Sequence, residues 1–417
     1  MQLIKRYFPV ILAVGISGLC PVAHALEFEP GIGAGLAYTD NADLVHDNEE
    51  DDIVAIGYLG ARLSEDSGPL RFDASSAITY QKYLDDTVGD QTYFTLGSSA
   101  EWEQIRGRLY WNASDFFTQR KEDSLEAGRA SNLQNTNVFT LGPSMRFRPS
   151  EAHSVNVNSQ YANWLYQMRP TLQTGLDGGV NAVYYNDEHR NPNTVSSNLH
   201  AVLSGTGPHS SYTVNLGATH VSRDRFDSTS GFTGDVAWLR ELTGHSSLRL
   251  YLASQLTNAS DNLLDSQTNP DDGSFGNEQI NGDVVRNSTM TIVYRRTDDT
   301  FNTTIRAEVR DFDYKESPDD RRTYQLGADL NYKVSPLVDG GLNVSYRHLE
   351  KDDTNRTDKE YRIVGNINYH LSRNLRSAFA VRYQNKSSDV KLDEYNETAV
   401  FIGLIWGHGS VPHTGIL

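Results

Sequence analysis

Apolar and polar residues alternate with a period of two along almost the whole chain, and this pattern constrains the fold more tightly than any other feature. At the start, Phe28, Ile32, Leu36 and Tyr38 fall on one face, and Glu27, Glu29, Gly31, Gly33 and Gly35 fall on the other. The pattern returns where Leu70, Phe72, Ala74, Ile78 and Tyr80 oppose Arg71, Asp73, Ser75, Thr79 and Gln81, and where Phe139, Leu141, Met145 and Phe147 oppose Thr140, Gly142, Ser144 and Arg146. It recurs at Tyr324 to Lys333 and at Tyr361 to Tyr369. Such alternation specifies half-buried strands, because successive side chains of a strand point to opposite faces. Few segments carry a helical period.

Connections alternate in length. Short links (Ser64 to Pro69, Arg148 to Ser154, Gly205 to Ser210, Leu242 to His245, Thr297 to Thr300, Ser335 to Asp339, Leu371 to Arg373) are separated by long polar stretches. These lie near 40–51, 84–91, 118–134, 166–193, 222–230, 256–286, 313–322, 351–359 and 386–395. Two strands around each long stretch predict an all-β, closed antiparallel transmembrane barrel of 18 strands, with 16 to 20 admissible, short periplasmic turns and long extracellular loops. Closure follows from the solvent: in hydrocarbon every backbone N–H and C=O must be paired, so the sheet has no edge and its outer face is apolar. A sandwich of this length would need several domains with visible linkers, and a propeller or β-helix would repeat at a fixed length. Aromatics near strand ends (Tyr38, Tyr80, Trp102, Phe147, Tyr161, Trp238, Tyr294, Tyr332, Tyr346, Tyr369, Tyr383, Trp406) suit interfacial girdles.

Composition closes other routes. After residue 25 no apolar run approaches the roughly 20 residues of a spanning helix. The net charge of -17 excludes nucleic acid as a partner, and 10% aromatic residues argue against disorder. Lys5 and Arg6, an apolar stretch from Tyr7 to Leu19, and Ala23-His24-Ala25 predict a cleaved export signal over residues 1–25. The single cysteine, Cys20, falls within that signal in a poor lipobox context. The expected organisation is therefore a signal peptide (1–25), a barrel in the outer membrane (26–406) and a tail (407–417), in contact with outer-membrane lipid and lipopolysaccharide.

Tyr38-Thr39-Asp40-Asn41, with its following acidic loop, resembles the opening of the outer-membrane β-barrel family of exopolysaccharide and capsule biosynthesis operons. The phrases Tyr332-Lys333-Val334-Ser335-Pro336 and Tyr369-His370-Leu371-Ser372-Arg373 are similar to that family's turn punctuation. The resemblance implies export of a secreted polysaccharide alongside a periplasmic polysaccharide-export protein and an inner-membrane copolymerase. A diffusion porin for uptake has the same barrel physics. The chain departs from barrels that end on an aromatic, since Gly407 to Leu417 follows Trp406.

On the face opposite the apolar one, the last third places Arg295, Arg306, Arg310, Lys333, Arg347, Arg362, Arg376 and Arg382 against only Glu308 and Asp329. Two readings stay open for this lumen-lining set: an electropositive track for an anionic polymer, or ladders with carboxylates that brace the wall. Arg71, Arg108, Arg146 and Arg249 alternate with Asp73, Glu101 and Asp235, as in a cross-paired wall. The stretch 166–193 is expected to be a loop, and Gln173, Asp177 and Tyr184 are its candidate constriction residues. Acidic clusters such as Glu49 to Asp52 and Asp319-Asp320 read as solvated loop surface, or as carboxylates that bridge to lipopolysaccharide phosphates through Ca²⁺ or Mg²⁺. Hydrolase, zinc-peptidase and phosphate-loop motifs are missing from the sequence, as is any metal-ligand spacing among the histidines, so neither an enzyme nor a cofactor is expected.

Overall fold

In a computed structural model, residues 26–121, 132–158, 161–183, 193–224, 226–258 and 283–407 are described. The expected signal over residues 1–25 and the tail beyond Gly407 lie outside them. Twenty strands are found among the described residues. The first ten are β1 (Glu27–Thr39), β2 (Asp52–Glu65), β3 (Leu70–Tyr83), β4 (Gln91–Ile105), β5 (Leu109–Lys121), β6 (Leu133–Ser150), β7 (His153–Asn158), β8 (Tyr161–Arg169), β9 (Leu172–Val183) and β10 (Thr194–Thr206). The rest are β11 (Ser210–Arg223), β12 (Phe226–Thr243), β13 (Ser246–Asn258), β14 (Val284–Thr297), β15 (Phe301–Tyr314), β16 (Arg321–Ser335), β17 (Val338–Lys351), β18 (Arg356–His370), β19 (Leu375–Ser388) and β20 (Tyr395–Gly407).

Each strand pairs antiparallel with the next, and β1 closes the ring against β20, from Gly31↔Gly407 to Thr39↔Ala399. Short turns gather at the end of the barrel that holds Leu26 and Gly407, and the longer connections at the other. The alternation sorts as expected: Phe28, Ile32, Leu36, Ile363, Ile367, Phe379, Ile402 and Leu404 are exposed on the outer face. Such a band of bare apolar side chains is stable only against lipid. Girdle aromatics mark its two edges, with Tyr38, Tyr80, Tyr361 and Tyr383 toward the loops and Trp102, Trp111, Tyr332, Tyr369 and Trp406 toward the turns. The Tyr346 and Tyr361 rings meet at 4.7 Å between centroids.

The strand number exceeds 18 by one hairpin. The stretch 166–193, expected to be a loop, contains the end of β8 and all of β9, so Gln173 and Asp177 are wall residues rather than an infolded constriction. Asp177 pairs in register with Asn163 on β8 and His200 on β10, and the alternation of Leu176 and Val180 toward lipid is what fixes β9 in the wall. Tyr184 lies outside the described residues. Tyr161, expected in a girdle, shares the inward face of Asn163.

Part of the inner wall is apolar. Ala37, Val54, Ile56, Tyr83, Ala378, Ala380, Ala399, Phe401 and Ile405 bury one another along β19, β20, β1, β2 and β3. Glycine makes this layer possible, since the Phe401 ring lies flat over Gly35, where an added Cβ would come within 2.6 Å of it.

The wall departs from a simple ring between β12 and β13, whose ladder stops at Gly234↔Ser254. Beyond that point the loop-side arm of β11 and β12 overlaps β13 and β14: Val221 is buried with Leu256 and Val284. Arg286 donates to the Phe232 carbonyl at 3.0 Å, and Arg223 binds Asp283 at 3.3 Å and Glu316 at 3.0 Å. The guanidinium of Arg286 thus satisfies a β12 carbonyl that the ladder to β13 leaves unpaired.

Candidate functional site

The lumen wall is the candidate site, and its chemistry follows from which residues fall on the inward-pointing set of each strand. All eight sequence-predicted cations lie on that set: Arg295 on β14, Arg306 and Arg310 on β15, Lys333 on β16, Arg347 on β17, Arg362 on β18, and Arg376 and Arg382 on β19. The structure brings four of them against carboxylates. Glu308, nearly inaccessible, is held between Arg306 at 3.0 Å and Arg310 at 2.8 Å and accepts from Thr291 at 3.0 Å. Arg347 meets Glu360 at 2.6 Å. Arg382 forks onto Glu397, with Nε to Oε2 at 2.9 Å and Nη2 to Oε1, while Thr39 on β1 donates to the same carboxylate at 2.8 Å.

Glu308 and Asp329 are therefore not the only balancing acids, which corrects the expected charge pattern. Strands β18 and β20 begin further toward the loop end than the alternation of apolar residues reveals, and this carries Asp358, Glu360 and Glu397 into the wall. Asp358 collects Arg356 at 2.8 Å, Lys386 at 3.4 Å and the Ser388 hydroxyl at 2.6 Å. Asp329 is bound by the Asn343 amide rather than by an arginine. Arg362 pairs in register with Ser345 on β17 and Gln384 on β19, with its Nε unpartnered, and Lys333 is exposed at the turn-side mouth.

The opposite stretch of wall has a different composition. Its inward residues include Asn112 and Ser114 on β5, Thr140 and Ser144 on β6, Asn156 on β7, Asn163 on β8, Asn181 on β9, His200 on β10 and Asn215 on β11. They bind one another: Asn112 to Ser144 at 3.0 Å, Ser114 to Thr140 at 2.6 Å, Asn156 to Asn163 at 2.9 Å, and His200 to Thr233 at 2.9 Å. Asp235 is held by the Asn215 amide at 3.0 Å. Toward the turns the expected cross-pairing holds for Glu101, which lies 3.6 Å from Arg71 and 3.4 Å from Arg146, whereas Asp73 pairs with Arg62 at 2.6 Å.

The acidic loop clusters are not uniformly solvated. Asp52 is buried and accepts backbone N–H bonds from Leu84, Asp85 and Thr87 at 3.0, 3.1 and 3.3 Å, tying the β1–β2 and β3–β4 loops together. Among the described residues no three acidic, histidine or cysteine side chains are grouped to hold a metal ion.

Residues 293–406 match the family described as "Putative beta-barrel porin 2". Among solved structures the chain is similar to an anion-selective porin from Comamonas acidovorans (12% identity, 92% of this chain and 99% of that one, TM-score 0.38). It is also similar to OprD of Pseudomonas aeruginosa (10% identity, 93% and 96%, TM-score 0.38) and to OccK2 of the same organism (8%, 91% and 98%, TM-score 0.39). No curated protein sequence matches the chain. A closed antiparallel barrel with an exposed apolar band is an outer-membrane β-barrel, and the porin-family match is confined to its last strands.

Proposed function

We propose that this protein is a passive outer-membrane pore for uncharged or weakly charged hydrophilic solutes, with no catalytic step and no cofactor. The observation that carries this reading is the pairing of Arg306 and Arg310 with Glu308, of Arg347 with Glu360 and of Arg382 with Glu397 inside the wall. Arginines bridged to buried carboxylates contribute little net field, and the facing wall offers amides and hydroxyls, which exchange hydrogen bonds with sugars as readily as with water. In this reading Arg306, Arg310, Arg347 and Arg382 brace the wall. Conductance in planar bilayers under a salt gradient tests it: a reversal potential near zero, with liposome swelling in neutral sugars, is expected. Strong anion preference would overturn it and restore an electropositive track for a charged cargo.

A second reading is export of a neutral polysaccharide through the same lumen, and the residues that favour it are the Tyr38 to Asn41 opening and the two Tyr-containing turn phrases. Its partners would be a periplasmic polysaccharide-export protein and an inner-membrane copolymerase. Deleting the gene should then abolish secreted polysaccharide; unchanged secretion with lost sugar uptake leaves the diffusion pore alone.

A further inference from the structure

The wall between β6 and β9 is incomplete. The hairpin that should fill it, β7 and β8, is short on the loop side: its last rungs are Ser144↔Asn158 and Tyr161↔Gly179. Above that level β6 from Leu133 to Pro143 pairs only with β5, and β9 from Val180 to Val183 pairs only with β10, among the described residues. On β6 the lipid-facing residues run Phe147, Met145, Leu141, Phe139, so the ladder stops midway up the apolar band rather than at its edge. A cavity of about 810 Å³ occupies the notch and is lined from both sides of the wall. Asn112, Ser144, Asn156, Asn163 and Asn181 reach it from the lumen, and Phe139, Leu141 and Val180 from the membrane. Beside Phe139, on the lipid-facing set of β5, Asp115 keeps Oδ1 enclosed without a hydrogen-bond partner.

We propose that this notch is a lateral binding site for a single-chain amphiphile with a neutral, hydroxyl-rich head, held with the head among the asparagines and the tail along Phe139, Leu141 and Val180. Three observations select that chemistry. A strand edge within hydrocarbon needs donors and acceptors that acyl chains cannot supply and that hydroxyls can. The lumen side of the cavity carries amides, which serve as donor and acceptor at once, and its guanidinium, Arg146, is already held 3.4 Å from Glu101. The outer rim is apolar at the depth where a tail lies. The head lies among asparagines of the lumen wall and the tail outside the pore; failure of this proposal would leave the solute reading intact.

The test is photo-crosslinking of the full chain in lipid nanodiscs with p-benzoylphenylalanine placed at Leu141 or, as a control on the far outer face, at Leu36. The probe is radiolabelled dodecyl maltoside. Labelling at Leu141 should exceed that at Leu36. Unlabelled dodecyl maltoside should compete, whereas the polyoxyethylene ether with the same tail and maltose alone should not. Adding Asn156→Leu and Asn163→Leu should weaken labelling about tenfold, the loss of one to two net hydrogen bonds. The competition series uses the otherwise unsubstituted wall, so it decides the matter if that double variant does not fold. Equal labelling at both positions, or equal competition by the ether, would overturn the proposal. So would crosslinking of Leu141 to a second copy of the chain, which would make the notch a subunit interface.

Discussion

In the wall of β14 to β20, arginines are pressed against buried carboxylates; in the wall of β5 to β10, asparagine, serine, threonine and glycine face the same lumen. Both sets obey the same alternation and both are polar, yet they differ in what holds them. The charged wall is a chain of mutually dependent partners, because each buried ion remains tolerable only while its counter-ion stays in place. The amide wall is a set of local pairs, any of which can exchange its partner for water. The first arrangement makes a rigid wall and the second an adaptable one. The ladder is also incomplete within the adaptable stretch, between β6 and β9.

The largest expected effect breaks the charged wall at its tightest fork. Glu397→Gln leaves Arg382 buried without its carboxylate and should lower stability by about 3 to 5 kcal/mol, read as urea unfolding in lipid or as loss of heat-modifiable mobility. Asn163→Ala, which removes one amide pair from the other wall, should cost about 1 kcal/mol. A double-mutant cycle over Arg347→Gln and Glu360→Gln sharpens the contrast. The double variant should be more stable than the sum of the singles requires and should leave ion selectivity unchanged. If Glu397→Gln and Asn163→Ala cost the same, the two walls are not different in kind.

The same contrast marks how far the sequence could be read. Because a period of two is a direct consequence of strand geometry, alternation exposed the barrel, the lipid face and the eight named inward cations of the last third, though not Arg321 or Arg356. It did not expose Asp358, Glu360 and Glu397, because strand ends that rise toward the loops carry no apolar residues to show where the strand begins. The β7–β8 hairpin left two local signals. Val155 and Val157 point outward at odd positions, while Trp164, Tyr166 and Met168 do so at even ones, a change of phase that the reversal between them produces. Pro143, in the middle of an alternating strand, marks an edge, since proline cannot serve a central ladder from both sides. The pairing of particular arginines with particular acids was not legible at all, because it depends on register across strands that are distant in sequence.

A smaller effect tests the apolar layer adjoining the charged wall. Gly35→Ala would place a methyl 2.6 Å from the Phe401 ring and 2.6 Å from the Ile402 carbonyl oxygen, so ring and backbone must both yield. The expected loss is about 1 to 3 kcal/mol, in the range of core overpacking. The further replacement Phe401→Leu should recover part of it by relieving the ring contact. No recovery would place the strain in the β1–β20 backbone alone.

The smallest effect lies above the charged wall, where the β15–β16 loop is fastened to the end of β17. Burial pushes the Asp319 carboxyl up, but the Ser317 hydroxyl and Lys351, whose Nζ lies 3.0 Å away, outweigh it and hold it below the ordinary carboxylate range. A group depressed on folding stabilises the folded form fully above its unfolded value and loses that contribution as pH falls through the folded one. Unfolding between pH 6 and pH 3 should therefore show a loss confined to the acid side of about pH 4, of under about 1 kcal/mol because the pair is partly solvated. Asp319→Asn should remove this component. If Asp319→Asn left the acid loss unchanged, Lys351 and Ser317 would not be what fastens this loop to the end of β17.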